Sequence, residues 1–404
     1  MNQDLPTTTD KPSKAASELQ RLADVLAAGK LVKGTSLWAD GWKRLKRNRV
    51  SMVSLWILIA IGSVAIFTPA LPLQSPILQD VKHRELLPPQ WTPYSLNLVQ
   101  PDEKIKLKQS QLNALDSGDP SRKALVGELE SLKSRQQKNC WNDPGFISRV
   151  LIKLRISVFG DYCIPSVFGT DKLGRDILSR VCWGSRVSLA CGLVATMVSL
   201  VIGVSYGAIA GYFGGRIDNL MMRIIDVGYS VPFIFIVIFI MSFLSAPQVR
   251  DQLLEWGISQ ITLFFVMIGA IYWLTMARVV RGQVLSLKNE QFVEAARTIG
   301  TSRFGIIFRH LIPNVMGIVI VYLTLTIPAV IRFEAFLSFL GMGVQAPDIS
   351  WGMLVNEGIQ VITPIRIYWW MIVFSGFALA LTLFALNFLG DGVRDALDPK
   401  LKNR

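Results

Sequence analysis

The hydrophobic and polar positions of this chain fall into long blocks. Six stretches contain no Asp, Glu, Lys or Arg: 51–70, 187–215, 227–249, 256–277, 311–331 and 367–390. Each has the roughly 20 residues that an α-helix needs to cross about 30 Å of hydrocarbon. The pattern therefore predicts six transmembrane helices, since a soluble core seldom calls for buried helices of this length. About 40 polar and charged residues precede the first stretch and no A-x-A site follows it, so it is expected to be a retained span and not a cleaved signal.

Between the blocks, shorter patterns stand out. Residues 1–36 are polar and read as a cytoplasmic tail. In SLWADGWKRLKRNR, Trp38, Trp42 and Leu45 recur at helical spacing with basic residues between them, which predicts a helix lying in the headgroup layer and turning into the first span. The longest polar segment, roughly 72–184, contains a predicted helical hairpin. Ile105, Leu112 and Leu115 mark one arm, and Leu125, Leu129 and Leu132 the other. Asp119 is the expected N-cap and Pro120 the first helical residue. A solvated spacer is the alternative for this segment. Residues 290–314, EQFVEAARTIGTSRFGIIFRHLIPN, form a basic amphipathic passage between the fourth and fifth spans. Phe292, Ala295, Ala296 and Ile299 recur at helical spacing, Gly300 suits a left-handed helix end, and Phe304, Ile307, Phe308 and Leu311 mark a second piece closed by Pro313.

Charge then orients the spans. With the N-terminus inside, the inner flanks collect Lys43, Arg44, Lys46, Arg47 and Arg49, then Arg216 and Arg223. They also hold Arg278, Arg281, Lys288, Arg297, Arg303 and Arg309, and finally Arg394, Lys400, Lys402 and Arg404. The short outer loops hold only Arg250, Arg332 and Arg366. By the positive-inside rule both termini are expected in the cytoplasm, and the long 72–184 segment outside. The net charge of +13 is then a topology signal and an attraction to anionic lipid, and gives no reason to invoke nucleic acid.

Composition narrows the chemistry. The chain is 51% hydrophobic and 18% charged. It has no G-x-x-x-x-G-K-[ST] phosphate loop, G-x-S-x-G elbow, H-E-x-x-H helix or calcium loop, so it is expected to be neither an ATPase nor another enzyme. Asp226, Arg332 and Glu334 fall at span edges, where they read as interfacial anchors, and no charge lies deeper in a span. An ion-coupled carrier usually needs such a charge, so the driving force is expected to come from elsewhere. His83 and His310 fall on opposite sides, and no metal site is indicated. Cys140 and Cys163 share the oxidising side and are a candidate disulfide, whereas Cys182 and Cys191 read as small packing residues.

Glu294-Ala295-Ala296, three residues, Gly300, nine residues and a four-residue tail ending at Pro313 resemble the EAA loop of bacterial ABC importer permeases. His310, Pro313 and Asn314 match the His-x-x-Pro-Asn of the peptide-importer subgroup, where the general pattern has Ile-x-Leu-Pro. GTDKLGRDILSR (169–180), FLSFLGMGVQAPDISWG (336–352) and GDGVRDALDPK (390–400) resemble the oligopeptide/dipeptide type as well, most closely the second permease of oligopeptide importers.

The resemblance implies an all-α membrane protein of the ABC importer permease type, with six transmembrane helices. The likeness covers an elbow helix and first span over 37–71 and a permease core over 165–404, while the tail 1–36 and the extracytoplasmic insertion at 72–164 lie outside it. It implies a subunit of a bacterial inner-membrane importer for oligopeptides or dipeptides. Partners would be a homologous permease, two ATPases that bind ATP and Mg, and an extracytoplasmic peptide-binding protein. Glu294, Ala295, Ala296, Gly300 and Pro313 would couple to the ATPase. No cofactor is implied for this chain, and the substrate-binding residues stay open, as does the choice between peptides and another small solute such as nickel. The rival readings are an ion-coupled carrier or channel for a small solute, and a membrane-anchored scaffold.

Overall fold

A computed structural model describes residues 37–90, 103–115, 121–139, 145–160, 162–244, 246–256, 258–346 and 348–397. The tail 1–36 and the expected cap residues Asp119 and Pro120 lie outside them. The described residues are helix, turn and coil apart from one isolated antiparallel bridge, between Thr170 and Asp176.

In chain order the helices of eight or more residues are α1 (Leu37–Arg47), α2 (Arg49–Phe67), α3 (Glu103–Ala114), α4 (Ser121–Asn139), α5 (Phe146–Phe159), α6 (Ile177–Phe213), α7 (Gly215–Ser230), α8 (Phe233–Leu244), α9 (Pro247–Glu255), α10 (Gln260–Leu287), α11 (Gln291–Thr298), α12 (Ile312–Phe339), α13 (Trp351–Gln360) and α14 (Trp369–Leu397). A short turn at Arg303–Gly305 and a π-helical turn at Ile306–Leu311 lead into α12.

Five of these are long and apolar enough to cross a membrane: α2 with its 3-10 extension to Ala70, α6, α10, α12 with its leading turns, and α14. The sixth expected span, 227–249, is not one straight helix. It is the latter part of a bent pair, α7 and α8, which meet at 78°. The break sits at Val231, held extended at φ −93, ψ 125, because it precedes Pro232 and the proline ring disfavours α geometry there. The 12 residues of α8 extend only about 18 Å, too little to span alone.

Two spans are longer than their charge-free runs. The 37 residues of α6 begin ten residues before Val187, capped by the Asp176 carboxylate, which accepts from the Ser179 amide at 2.7 Å. α12 continues past Ile331 to Phe339, so Arg332 and Glu334 lie inside a helix and not at its edge. Pro313 likewise does not close the preceding piece. It occupies the first turn of α12, where a missing N–H costs nothing. The chain passes through the π turn, where the Ile312 amide donates to the Ile307 carbonyl, and runs straight into the span.

The elbow is where the sequence places it, with α1 and α2 separated at Asn48, whose side chain accepts from the Val50 and Ser51 amides at 3.1 and 3.3 Å. Leu45 is buried toward α14 and Trp42 is exposed. The expected hairpin is present as α3 against α4, with Ile105 and Leu129 buried and a Lys108–Glu128 ion pair across it.

The centre of the fold is the contact between α6 and α10. Gly203, Gly207 and Gly211, four residues apart, line the face of α6 that meets Met276, Ala277, Val280, Arg281 and Val284. A Cβ on Gly203 would lie 2.6 Å from that of Met276, one on Gly211 would lie 2.9 Å from the Arg281 carbonyl, and one on Gly207 would overlap the Ala277 carbonyl. From the other side, a Cβ on Gly269 would sit 2.6 Å from the Ala195 carbonyl. Only glycine allows the two backbones this close, the small-residue packing that membrane helices use where burial from water offers no gain.

Gly207→Leu should therefore force the helices apart, at on the order of 1–3 kcal/mol or more. Thermal unfolding in detergent should show a lowered midpoint for this variant. It should show little change for Gly282→Ala or Gly317→Ala, where nothing lies within 4 Å of an added Cβ.

Candidate functional site

The 290–313 segment has an inner and an outer face. α11 opens after Glu290 and buries Val293 and Ala296, three residues apart, while Glu294 and Ala295 are exposed. At its end the Gly300 amide donates to the Arg297 carbonyl and the Thr301 amide to the Ala296 carbonyl, both at 3.0 Å, with Gly300 at φ +85. This is the Schellman arrangement, and it needs the left-handed residue that glycine supplies without strain. Ser302 caps the next turn by accepting from the Gly305 amide at 3.2 Å. Ile306, Ile307 and Leu311 then turn inward.

These inward residues join Val204 and Ala208 of α6, Met276, Val280 and Val284 of α10, and Val315 and Val319 of α12 in one buried cluster. The stripe that recurs at helical spacing is not this inner side. Of Phe292, Ala295, Ala296 and Ile299, only Ala296 is buried, and Ile299 is 83% exposed. A helix of eight residues meets the core through one pair a turn apart, and Val293, outside the broader apolar stripe, supplies half of that pair. Phe292, Ile299, Phe304 and Phe308 are instead exposed, on the same segment as Glu294. Pro313 is exposed too, beyond the π turn. Phe304 meets Phe213 edge-on at 6.2 Å and the Arg297 guanidinium lies 5.7 Å from the Tyr212 ring, so both loop halves touch the end of α6. Nearby, Arg281 of α10 donates to Asp218 of α7, with Nη2 to Oδ2 at 2.6 Å.

A second constellation lies at the start of α6. Gly169 and Gly174, both at positive φ, shape a tight turn, within which Asp171 accepts from the Leu173 and Arg175 amides at 2.8 and 2.9 Å. Its other oxygen receives Arg175 Nε at 2.7 Å and Arg180 Nη1 at 2.6 Å. Glu357 of α13 completes the group. It pairs with Arg175 Nη2 at 3.1 Å and with Arg180 through Nη2 at 3.1 Å and, more closely, Nη1. Asp171 and Arg180 are fully buried. A cavity of about 250 Å³ adjoins them, lined by Ile77, Gln79, Asp348 and Met353 among others. Burial pushes the Glu357 carboxyl up, but its bonds to Arg180 and the charges of Arg180 and Arg175 outweigh that and hold it below the usual glutamate range. Burial raises Asp348, which no cation offsets. Sequence pattern does not bring Arg180 and Glu357 together, because 177 residues separate the pair and neither has a local signature.

Glu334 departs from the expectation of an interfacial anchor. It is fully buried in α12, receiving Ser338 Oγ at 2.8 Å and Ser188 Oγ of α6 at 3.3 Å, while the Trp351 amide of α13 donates to Ser188 at 3.2 Å. A polar tie of three helices therefore lies within the spans. Asp226 lies within α7, exposed and paired with Arg278 at 2.6 Å. Cys163 is buried beside Arg155, with Nη2 3.3 Å from its sulfur, and Cys191 is buried in the core. Cys140 lies outside the described residues, and with it the expected Cys140–Cys163 pair.

Known proteins can be set beside this geometry. A family model described as "Binding-protein-dependent transport system inner membrane component" matches residues 203–403, and one described as "N-terminal TM domain of oligopeptide transport permease C" matches 36–89. The chain is 48% identical to the dipeptide transport system permease protein DppC of Bacillus subtilis (strain 168) over 235 residues, 58% of this chain and 69% of that protein. It is 36% identical to the oligopeptide transport system permease protein OppC of Escherichia coli (strain K12) over 369 residues, 91% of this chain and 93% of that protein. A chain of the MetNI methionine ABC transporter in an inward-facing conformation resembles 55% of this chain at TM-score 0.42 and 18% identity, too slight a likeness to argue from.

Glu357→Gln should leave two buried guanidiniums to share Asp171. Breaking such a buried pair costs about 3–5 kcal/mol. Because the Glu357 carboxyl is held below its ordinary value, its contribution is in place above the ordinary glutamate pKa of about 4.3 and is lost as pH falls through the folded value. Melting midpoints of the native and variant proteins should be well separated at neutral pH and converge in acid.

Proposed function

The chain belongs to the binding-protein-dependent transport system inner membrane component family, as a permease of the oligopeptide and dipeptide type. From that premise we propose that it forms half of a peptide path across the inner membrane and is driven through its 290–313 loop by separate ATPase subunits. The observation that carries this reading is the two-faced build of that loop. Its inner side chains belong to the same buried cluster as α6, α10 and α12, while Phe292, Ile299, Phe304 and Phe308 stand exposed on the segment that carries Glu294. Large apolar side chains gathered on an exposed loop are what a docking partner covers.

Each loop residue then has a role. Glu294 offers its charge to a basic groove of the ATPase, and the small Ala295 lets that surface approach the helix backbone. Ala296 sits on the opposite side and anchors the helix to the core. Gly300 fixes the angle between the two halves of the loop, and Pro313 starts the span that the loop moves. A close-packed interior transmits displacement and does not absorb it. When the ATPases close on ATP, the loop is carried with them and α10 and α12 rock between inward-open and outward-open arrangements. ATP and Mg are bound, and hydrolysis performed, on those partner subunits.

A homologous permease supplies the other half of the path, and an extracytoplasmic binding protein delivers the peptide and sets most of the selectivity. The basic flanks support a topology with both termini and the loop in the cytoplasm, and the 72–164 segment with its hairpin outside.

Glu294→Arg should leave the assembled importer intact in the membrane, as judged by co-purification of the second permease. Reversing an interfacial charge costs about 2–5 kcal/mol, so ATP-dependent peptide uptake should fall by about tenfold or more. Undiminished uptake in the assembled variant would remove the loop from the coupling route.

A further inference from the structure

Helix α5 has a face that neither the transport path nor the loop uses. Ser148, Ile152 and Arg155 are buried against the protein, yet Phe146, Ile147, Val150, Leu154 and Val158 are exposed, several of them by more than half. At 100° per residue these five fall within one sector of about 120°, and the exposed Arg149 and Lys153 flank it on one edge. A large apolar stripe beside basic residues is the make-up of a helix that lies in a membrane surface.

Its mounting fixes its height. The helix packs against Thr68–Ala70, where the first charge-free run ends. Arg155 Nη2 donates to the Leu73 carbonyl just beyond, at 2.7 Å. On its other side Arg186 donates to Ser148 at 2.8 Å, and Ile152 and Ile156 meet Trp183. Trp183 and Arg186 immediately precede the charge-free run of α6 at Val187, and the Arg186 guanidinium lies 4.9 Å from the Trp183 ring. Paired Trp and Arg at the end of an apolar run are the usual occupants of the headgroup level. The helix therefore bridges the ends of two spans at the same edge. In the turn of α2 just before Thr68, Val64, Ile66 and Phe67 are exposed as well, as side chains that face acyl chains are in a spanning helix.

We infer that Phe146–Phe159 lies in the plane of the bilayer, its Phe146, Val150, Leu154 and Val158 stripe sunk into the headgroup–acyl boundary and Arg149 and Lys153 among lipid phosphates. It ties the end of the first span to the start of the second and sets the height at which the 72–164 segment leaves the membrane. A second protein on this face, such as the sister permease, is the competing occupant. This inference rests on the spans crossing a bilayer and not on what is transported, so it stands or falls separately from the importer reading.

The test places the photoreactive residue p-benzoylphenylalanine at Leu154 in the full chain, expressed with its partner subunits. The complex is reconstituted in nanodiscs of phosphatidylethanolamine and phosphatidylglycerol, irradiated, and its adducts identified by mass spectrometry. The same probe at Val64, on the exposed face of α2, calibrates contact with lipid. Phospholipid adducts at Leu154, within a factor of a few of the Val64 yield, are expected. Adducts to another polypeptide, or no lipid adduct where Val64 gives one, would overturn the inference. A probe at Val158, on the same stripe, answers the question if the Leu154 variant does not accumulate.

Discussion

The close approach of α6 and α10 is the contact on which the rest of the structure depends. Two helices in lipid gain nothing by hiding apolar surface from each other, because acyl chains are as apolar as leucine. What they gain is dispersion, and dispersion falls steeply once a gap opens. Gly203, Gly207 and Gly211 on one helix and Gly269 on the other remove the side chains that would open such a gap. The buried cluster built on this seam extends through Met276, Val280 and Val284 to Val293, Ala296, Ile306 and Ile307 of the loop. One packed body thus runs from mid-span to the surface where the ATPase is proposed to dock.

Polar groups take over where the seam stops. Asp171, Arg175, Arg180 and Glu357 hold the start of α6 to α13. The Glu334 serine tie holds α12 to α6, and Arg281 and Asp218 hold α10 to α7 near the loop. Buried ion pairs contribute little net stability over an apolar core, but each is intolerant of losing one partner, which favours a single arrangement. These ties are directional where the seam is not. Together they make α6, α10, α12 and α13 a body suited to rocking as a unit, while the 78° break at Val231 leaves α7 and α8 as separately oriented pieces.

The loop shows how a short helix can serve two surfaces. Its inner face is fixed by Val293 and Ala296, and a Schellman turn at Gly300 and a serine cap at Ser302 satisfy the backbone groups between its halves. Little in it is left to flex. The exposed phenylalanines and Ile299 remain as unsatisfied apolar area, which a partner covers with gain.

The sequence by itself determined the all-α membrane architecture, the elbow before the first span, the hairpin of α3 and α4, and the glycine at the loop turn. Run length, periodicity and φ preference are local properties, and each is written within a few residues. It also located the loop by the spacing of Glu294, Ala295, Ala296, Gly300 and Pro313. It did not determine which loop face is inner, since an eight-residue helix offers too few turns for its apolar stripe to be resolved. Nor could charge-free runs mark where α6 begins or α12 ends, because Arg180, Arg186 and Glu334 are carried inside helices by partners distant in the chain. Glu357, the α6–α10 seam and the lipid-facing stripe of α5 were decided only by the tertiary structure. A charge that is tolerable when paired, or a glycine that matters only when another backbone lies against it, takes its meaning from a neighbour that the linear order does not name.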